Sequence, residues 1–197
     1  MKRLFMSVMG LALAMLSAPW TARSSEVDQP KGRGEEPMSR RRLSTNEFAV
    51  VVQCAERLEK LKNEAASGAA EERLVVVAKL DGLRHVAALP MLQGVARDDA
   101  ETPQTRVSAV EAIARTLDKD AVEVLIELIS IPQAQVYSAA LEGLGNVTGV
   151  HLGNAAYSSE EEFARRRNEM RQKWQAWWKS NKATFEPRKD AVFWHRD

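Results

Sequence analysis

Hydrophobic positions recur at helical spacing along most of the chain. From Ser44, Phe48, Val51, Val52, Ala55 and Leu58 recur at intervals of three and four, and Ser44 and Glu47 have the spacing of a capping box. Ser67 and Gly68 end that predicted helix. Three later segments superpose: "ERLVVVAKLDGL" (72–83), "TRVSAVEAIART" (105–116) and "VYSAALEGLGNV" (136–147). Val77, Val110 and Leu141 share a column, as do Leu80, Ile113 and Leu144, with small residues aligned at Val76, Ala109 and Ala140. Second helices follow the first two units, with Val86 matched to Val122 and Leu89 to Leu125. A last helix is predicted from Ser158 or Ser159, with Ser159 and Glu162 as its capping box. Phe163, Met170, Trp174 and Trp177 fall on one face of it, with Trp178 at the flank.

Helix pairs repeating every thirty or so residues define an α-solenoid. A single pair cannot bury its apolar face, so each unit becomes part of its neighbour's core. The polar punctuation fits this reading. Thr102 precedes Pro103, which suits the first helical position, and Asp120 stands three residues before Glu123 as a further cap. Pro132 opens the third unit's first helix. Pro90 lies too far into a helix begun at His85, which calls for a kink or a later start. The glycine-rich run from Gly143 to Gly149 follows a helix and lacks a P-loop lysine, so it reads as a helix end and turn.

The segments "TRVSAVEAIARTLDKDAVEVLIELI" and "ALEGLGNVTG" resemble the short HEAT-like repeats first grouped with phycobilisome lyases. The tail from "LGNVTG" to "KWQAWWKSN" resembles the end of secreted bacterial HEAT-repeat proteins, where a "TG" turn and loop precede a tryptophan-rich helix. The likeness covers about Glu71 to Phe185. It implies an all-α fold: a short α-solenoid of about three HEAT-like helix pairs, with an N-terminal helix and a long capping C-terminal helix. It also implies a binding scaffold, and the lyase association supplies no catalytic motif that maps onto residues here.

The remaining sequence sets the domain limits. Lys2 and Arg3 precede the apolar run Leu4–Leu16, and small residues follow, so residues 1–24 read as a signal peptide cut after Ala18 or Ser24. Residues 25–43 read as a disordered linker, rich in charge, proline and glycine and carrying the basic run Arg40–Arg42. The HEAT-like domain spans 44–182, and 183–197 form a C-terminal tail that either folds back or offers Phe193 and Trp194 as an aromatic handle. This layout implies secretion or a periplasmic location, with no stable membrane span after cleavage.

Charge and side-chain chemistry narrow the function. The 28 basic and 27 acidic residues nearly cancel, which gives no general pull toward nucleic acid. Cys54 is the one cysteine and sits beside an apolar stripe, so it reads as a small buried hydrophobe. His85, His151 and His195 stand in separate regions without metal-site spacing, and no nucleophile motif is present, so the expectation is no catalytic, metal or cofactor residue. Phe163, Met170, Trp174 and Trp177 are expected to cap the open end of the stack. Trp178 and Trp194 are the candidate contacts for a protein partner. Arg73, Arg106 and Glu111 are expected at the surface. The expected function is that of a non-catalytic, exported protein–protein interaction scaffold. The alternatives are an accessory or lyase-like subunit of an enzyme complex, and envelope glycan binding through exposed tryptophans.

Overall fold

The computed structural model describes residues 38–62, 68–154 and 156–188. The predicted signal peptide (1–24), most of the predicted linker, Ser67, and the tail beyond Arg188 with Phe193, Trp194 and His195 lie outside the described residues. Among the described residues the fold is all-α. Its helices are α1 (Thr45–Lys62), α2 (Ala69–Leu83), α3 (Leu89–Arg97), α4 (Pro103–Arg115), α5 (Lys119–Leu128), α6 (Ala134–Thr148) and α7 (Glu160–Asn181). Short 3-10 turns cover Met38–Arg40 and Val86–Ala88.

Caps decide most of the boundaries. The Ser44 hydroxyl accepts the Glu47 N–H, and the Glu47 carboxylate accepts the Ser44 N–H at 2.9 Å, so both arms of the capping box form. Thr102 accepts the Thr105 N–H at 3.1 Å ahead of Pro103. Pro90 stands in the first turn of α3, because the Val86–Ala88 turn delays the helix to Leu89. Gly149 ends α6 at φ 73°, a left-handed position that favours glycine. Two departures are local. The cap of α5 is Asp118, which accepts the Asp120 N–H at 2.9 Å, rather than Asp120 itself. Pro132 precedes α6, whose cap position is Gln133.

The helices make one core. α4 packs against α2, α3, α5 and α6; α1 packs on α2; α3 touches α5; and α5 touches α7. All nine aligned positions of the three superposed segments are buried: Val76, Val77 and Leu80 in α2, Ala109, Val110 and Ile113 in α4, and Ala140, Leu141 and Leu144 in α6. Leu89 and Leu125 are buried in the second helices. Cys54 is buried as a small hydrophobe, and burial pushes its thiol above the ordinary value.

α1 departs from its expected face. Cys54, Leu58 and Leu61 are buried, while Phe48 and Val52 stand 61% and 38% exposed. A helix covered chiefly by one neighbour buries a narrow stripe, and spacings of four and three from Cys54 select that stripe. The end of the predicted linker also departs from disorder. Ser39 is buried and donates to Asp118 Oδ2 at 2.8 Å, and Arg40 clasps the same carboxylate. The contact is made by a hydroxyl and a guanidinium rather than by apolar side chains, so hydropathy gives no sign of it.

Candidate functional site

The C-terminal helix carries most of the residues singled out by sequence. Ser159 caps α7 by accepting the Glu162 N–H at 3.2 Å. The Glu162 carboxylate reaches back to the hydroxyl and N–H of Ser158 and also takes the Arg166 Nε–H at 2.7 Å. These contacts hold its carboxyl down, from its ordinary 4.5 to about 2. Three glutamates at this end complement the helix dipole.

Phe163, Met170, Trp174 and Trp178 are the buried residues of α7. Phe163 meets Tyr137 of α6 edge-on at 5.3 Å, and Arg167 lies over its ring at 5.2 Å. Trp174 is 1% exposed and is among the largest fully enclosed side chains. Trp177 and Trp178 differ in burial from what their spacing suggests. Trp178, the candidate partner contact, is 7% exposed and donates Nε1–H to Glu123 Oε1 of α5 at 3.1 Å. Lys182 grips the same carboxylate, and the two donors hold Glu123 below its ordinary value. Trp177 is half-buried, edge-on to Trp174 at 5.5 Å and stacked with Trp178 at 6.2 Å. A step of three residues falls about 60° short of a full helical turn and a step of four runs about 40° past it. Residues 177 and 178 therefore flank Trp174 on opposite sides, and the position of α5 decides which side is covered.

The chain after α7 folds back as far as it is described. Phe185 packs edge-on against Trp177 and Trp178 at 6.1 and 5.2 Å, and the Arg188 N–H donates to the Val147 carbonyl at 3.1 Å. Trp194, the other candidate contact, lies outside the described residues.

Arg73 and Arg106 are not surface residues. Arg106 is 5% exposed, pairs with Asp99 at 2.8 Å and donates Nε–H to the Ala96 carbonyl at the end of α3. Arg73 pairs with Glu101 at 3.0 Å and donates to the Leu61 carbonyl at the end of α1. Both occupy the same column of the repeat alignment. Each satisfies the C-terminal carbonyls of the preceding helix, where a cation complements the dipole. That shared column is a signal the sequence carried for a structural role. Glu111 is half-exposed and lies 3.7 Å from Arg115, whose Nε is held by Asp81 at 2.8 Å.

His85 is a capping residue: Nδ1 accepts the Ala87 N–H at 3.1 Å, which leaves Nε2 to donate to the Arg41 carbonyl at 2.8 Å. His151 packs over Gly145, where a Cβ would meet its ring at 2.5 Å. Among the described residues, no group of three or more His, Cys, Asp or Glu side chains is placed to hold a metal ion. None of the described helices is long and apolar enough to cross a membrane.

Two surface depressions stand out. A groove of about 250 Å³ runs between α7 and the loop after α6, with Leu152 and Met170 along it and Arg165, Arg166 and Lys173 around it. A cleft of about 20 Å³ between α4 and α6 involves Glu111, Arg115 and Glu142. No family model, curated protein or solved structure matches the chain.

Proposed function

We propose that the chain is a non-catalytic protein–protein interaction scaffold, exported from the cytoplasm and built as a short α-solenoid of about three HEAT-like helix pairs. The pairs are α2 with α3, α4 with α5 and α6 with α7, preceded by α1. The observation that carries the reading is burial in register. The same three columns are enclosed in α2, α4 and α6, and the first helices touch in series from α2 through α4 to α6, as do the second helices from α3 through α5 to α7. The paired use of Arg73 and Arg106 adds a polar counterpart to that repetition. Repeats stacked in this way present surface far larger than a single pair offers, and specificity rests with the side chains left exposed on it.

Export rests on Lys2, Arg3 and the apolar run that follows them. Glycan binding through α7 finds less support, because Trp174 and Trp178 offer no free ring face. The test is in-cell cross-linking of the tagged full chain, followed by fractionation and mass spectrometry of its N-terminus. The expected result is a mature chain beginning at Pro19 or Ser25, joined in the envelope fraction to one protein in stoichiometric yield. An unprocessed cytoplasmic chain, or no reproducible partner, contradicts the proposal.

A further inference from the structure

The groove beside α7 has a charge and an apolar pattern that together specify an occupant. Its margin carries three cations, Arg165, Arg166 and Lys173, against one carboxylate, Glu169. Glu169 is shared between Lys173 at 2.7 Å and Arg165 at 3.8 Å. Arg166 is held by Glu162 at 2.7 Å, outside the groove. Arg165 is thus the least satisfied of the three, with its side chain 69% exposed and its ion pair at the outer limit of contact. Half-buried Leu152 supplies the apolar side of the same groove, and the buried Met170 forms its floor. Gly153 passes so close to the Met170 methyl group that a Cβ there would require that flexible side-chain end to shift.

We infer that this groove binds an acidic peptide segment of the partner, with a glutamate or aspartate carboxylate set between Arg165 and Lys173 and a neighbouring aliphatic group against Leu152. The inference rests on the scaffold reading and names the chemistry of its partner. Glu169 is what favours a peptide carboxylate over a phosphate. A dianion entering between the cations meets that fixed negative charge, whereas a monoanion exchanges with Glu169 for one of its two partners at lower cost. The apolar side of the groove rewards a ligand that carries methylene groups beside its charge. The contact is half-exposed and charge-driven, so it weakens as salt rises.

The test is fluorescence anisotropy of a labelled peptide of alternating glutamate and leucine, titrated with the full chain at low salt. The comparison arms are the same peptide with glutamine for glutamate, inorganic phosphate as competitor, and vesicles rich in an anionic phospholipid. Saturable binding is expected, at least tenfold weaker for the glutamine peptide and at least tenfold weaker for the Arg165→Glu/Lys173→Glu variant. Arg165→Gln/Lys173→Gln serves as a second variant that adds no like-charge repulsion to α7, with circular dichroism as the check on folding. Arg42→Glu, away from the groove, is expected to leave affinity within twofold. Absence of saturable binding, equal binding of the neutral peptide, or unchanged affinity in both double variants overturns the inference. So does displacement by phosphate at matching concentration, or a preference for vesicles. Capture of a cellular partner undiminished by the Gln/Gln variant leaves the scaffold standing and removes the groove as its site.

Discussion

Asp118 shows how much one side chain can join. It caps α5, accepts from Ser39, and binds Arg40 through both oxygens, at 2.8 Å from Nε and 2.7 Å from Nη2. Burial pushes its carboxyl up, and the hydrogen bonds from Arg40, the Asp120 amide and Ser39 outweigh that push and hold it below the ordinary value. Asp118→Ala removes the cap and leaves Ser39 without its acceptor, so a loss of about 2 kcal/mol in urea denaturation is expected. Asp118→Asn keeps an acceptor for the cap and is expected to lose less. Arg84 presents the opposite case. It is exposed and ends α2 in the left-handed region at φ 45°, a conformation that costs a side-chain-bearing residue about 1–2 kcal/mol. Arg84→Gly is therefore expected to raise stability by up to about 1 kcal/mol, since glycine's extra freedom in the unfolded chain offsets part of the relief. A lower melting temperature in that variant would contradict the assignment.

Acid sensitivity is also settled by individual residues. Glu162 titrates at about 2 in the folded chain against an ordinary 4.5. A carboxyl lowered on folding contributes stability that is present above its unfolded value and lost as pH falls through the folded one. Its contribution therefore fades between about pH 4.5 and pH 2. Glu101 has the opposite sign: burial raises it despite Arg73, so its contribution is present at low pH and lost as pH rises through the raised value. Glu162→Gln is expected to flatten the fall in melting temperature between pH 4.5 and pH 2 relative to the parent chain. An unchanged slope would show that the capping contacts at Ser158 do not persist in solution.

At the scale of elements, legibility followed the kind of force involved. Helices held by apolar periodicity and by adjacent caps were readable: α4 behind Thr102 and Pro103, α7 behind Ser159, and the delayed start of α3 at Pro90. Features set by a distant partner were not. The burial of Phe48 or of Cys54 depends on which side of α1 meets α2, and both stripes of that helix are apolar enough to be chosen. The bonds of Ser39 and Arg40 to the start of α5 span 78 to 80 residues between polar groups, a pairing that no hydropathy pattern encodes. The groove beside α7 was equally hidden, because it exists only where the loop after α6 lies along the helix. The tryptophans make this quantitative. Trp178→Ala opens a cavity against α5 and leaves Glu123 to Lys182 alone, with an expected cost of about 3–5 kcal/mol. Trp177→Ala removes a half-exposed ring, with an expected cost of about 1 kcal/mol. Chemical denaturation of the two variants side by side reads the difference; equal costs would contradict the unequal burial of the two rings, and a larger cost at Trp177 would favour the sequence-based expectation.

For the whole molecule, the consequence of one shared core is cooperativity. α4 touches four other helices, so the described helices have no obvious place to part. α7 belongs to that unit through Phe163 on Tyr137, Trp178 on Glu123, and the return of Phe185 onto the indoles. In the proposed solenoid, a long aromatic helix on the last pair removes an apolar face that a repeat array otherwise leaves open. Enclosure of Trp174 is the feature on which this closure depends most. The direct measurement is indole fluorescence and acrylamide quenching of a chain in which Trp20, Trp177, Trp178 and Trp194 are replaced by phenylalanine, leaving Trp174 alone. A blue-shifted emission that resists the quencher, and that reddens in a single step coincident with loss of the helical circular dichroism signal, is the predicted result. Emission and quenching of a fully hydrated indole in a chain that keeps its helical signal would contradict it.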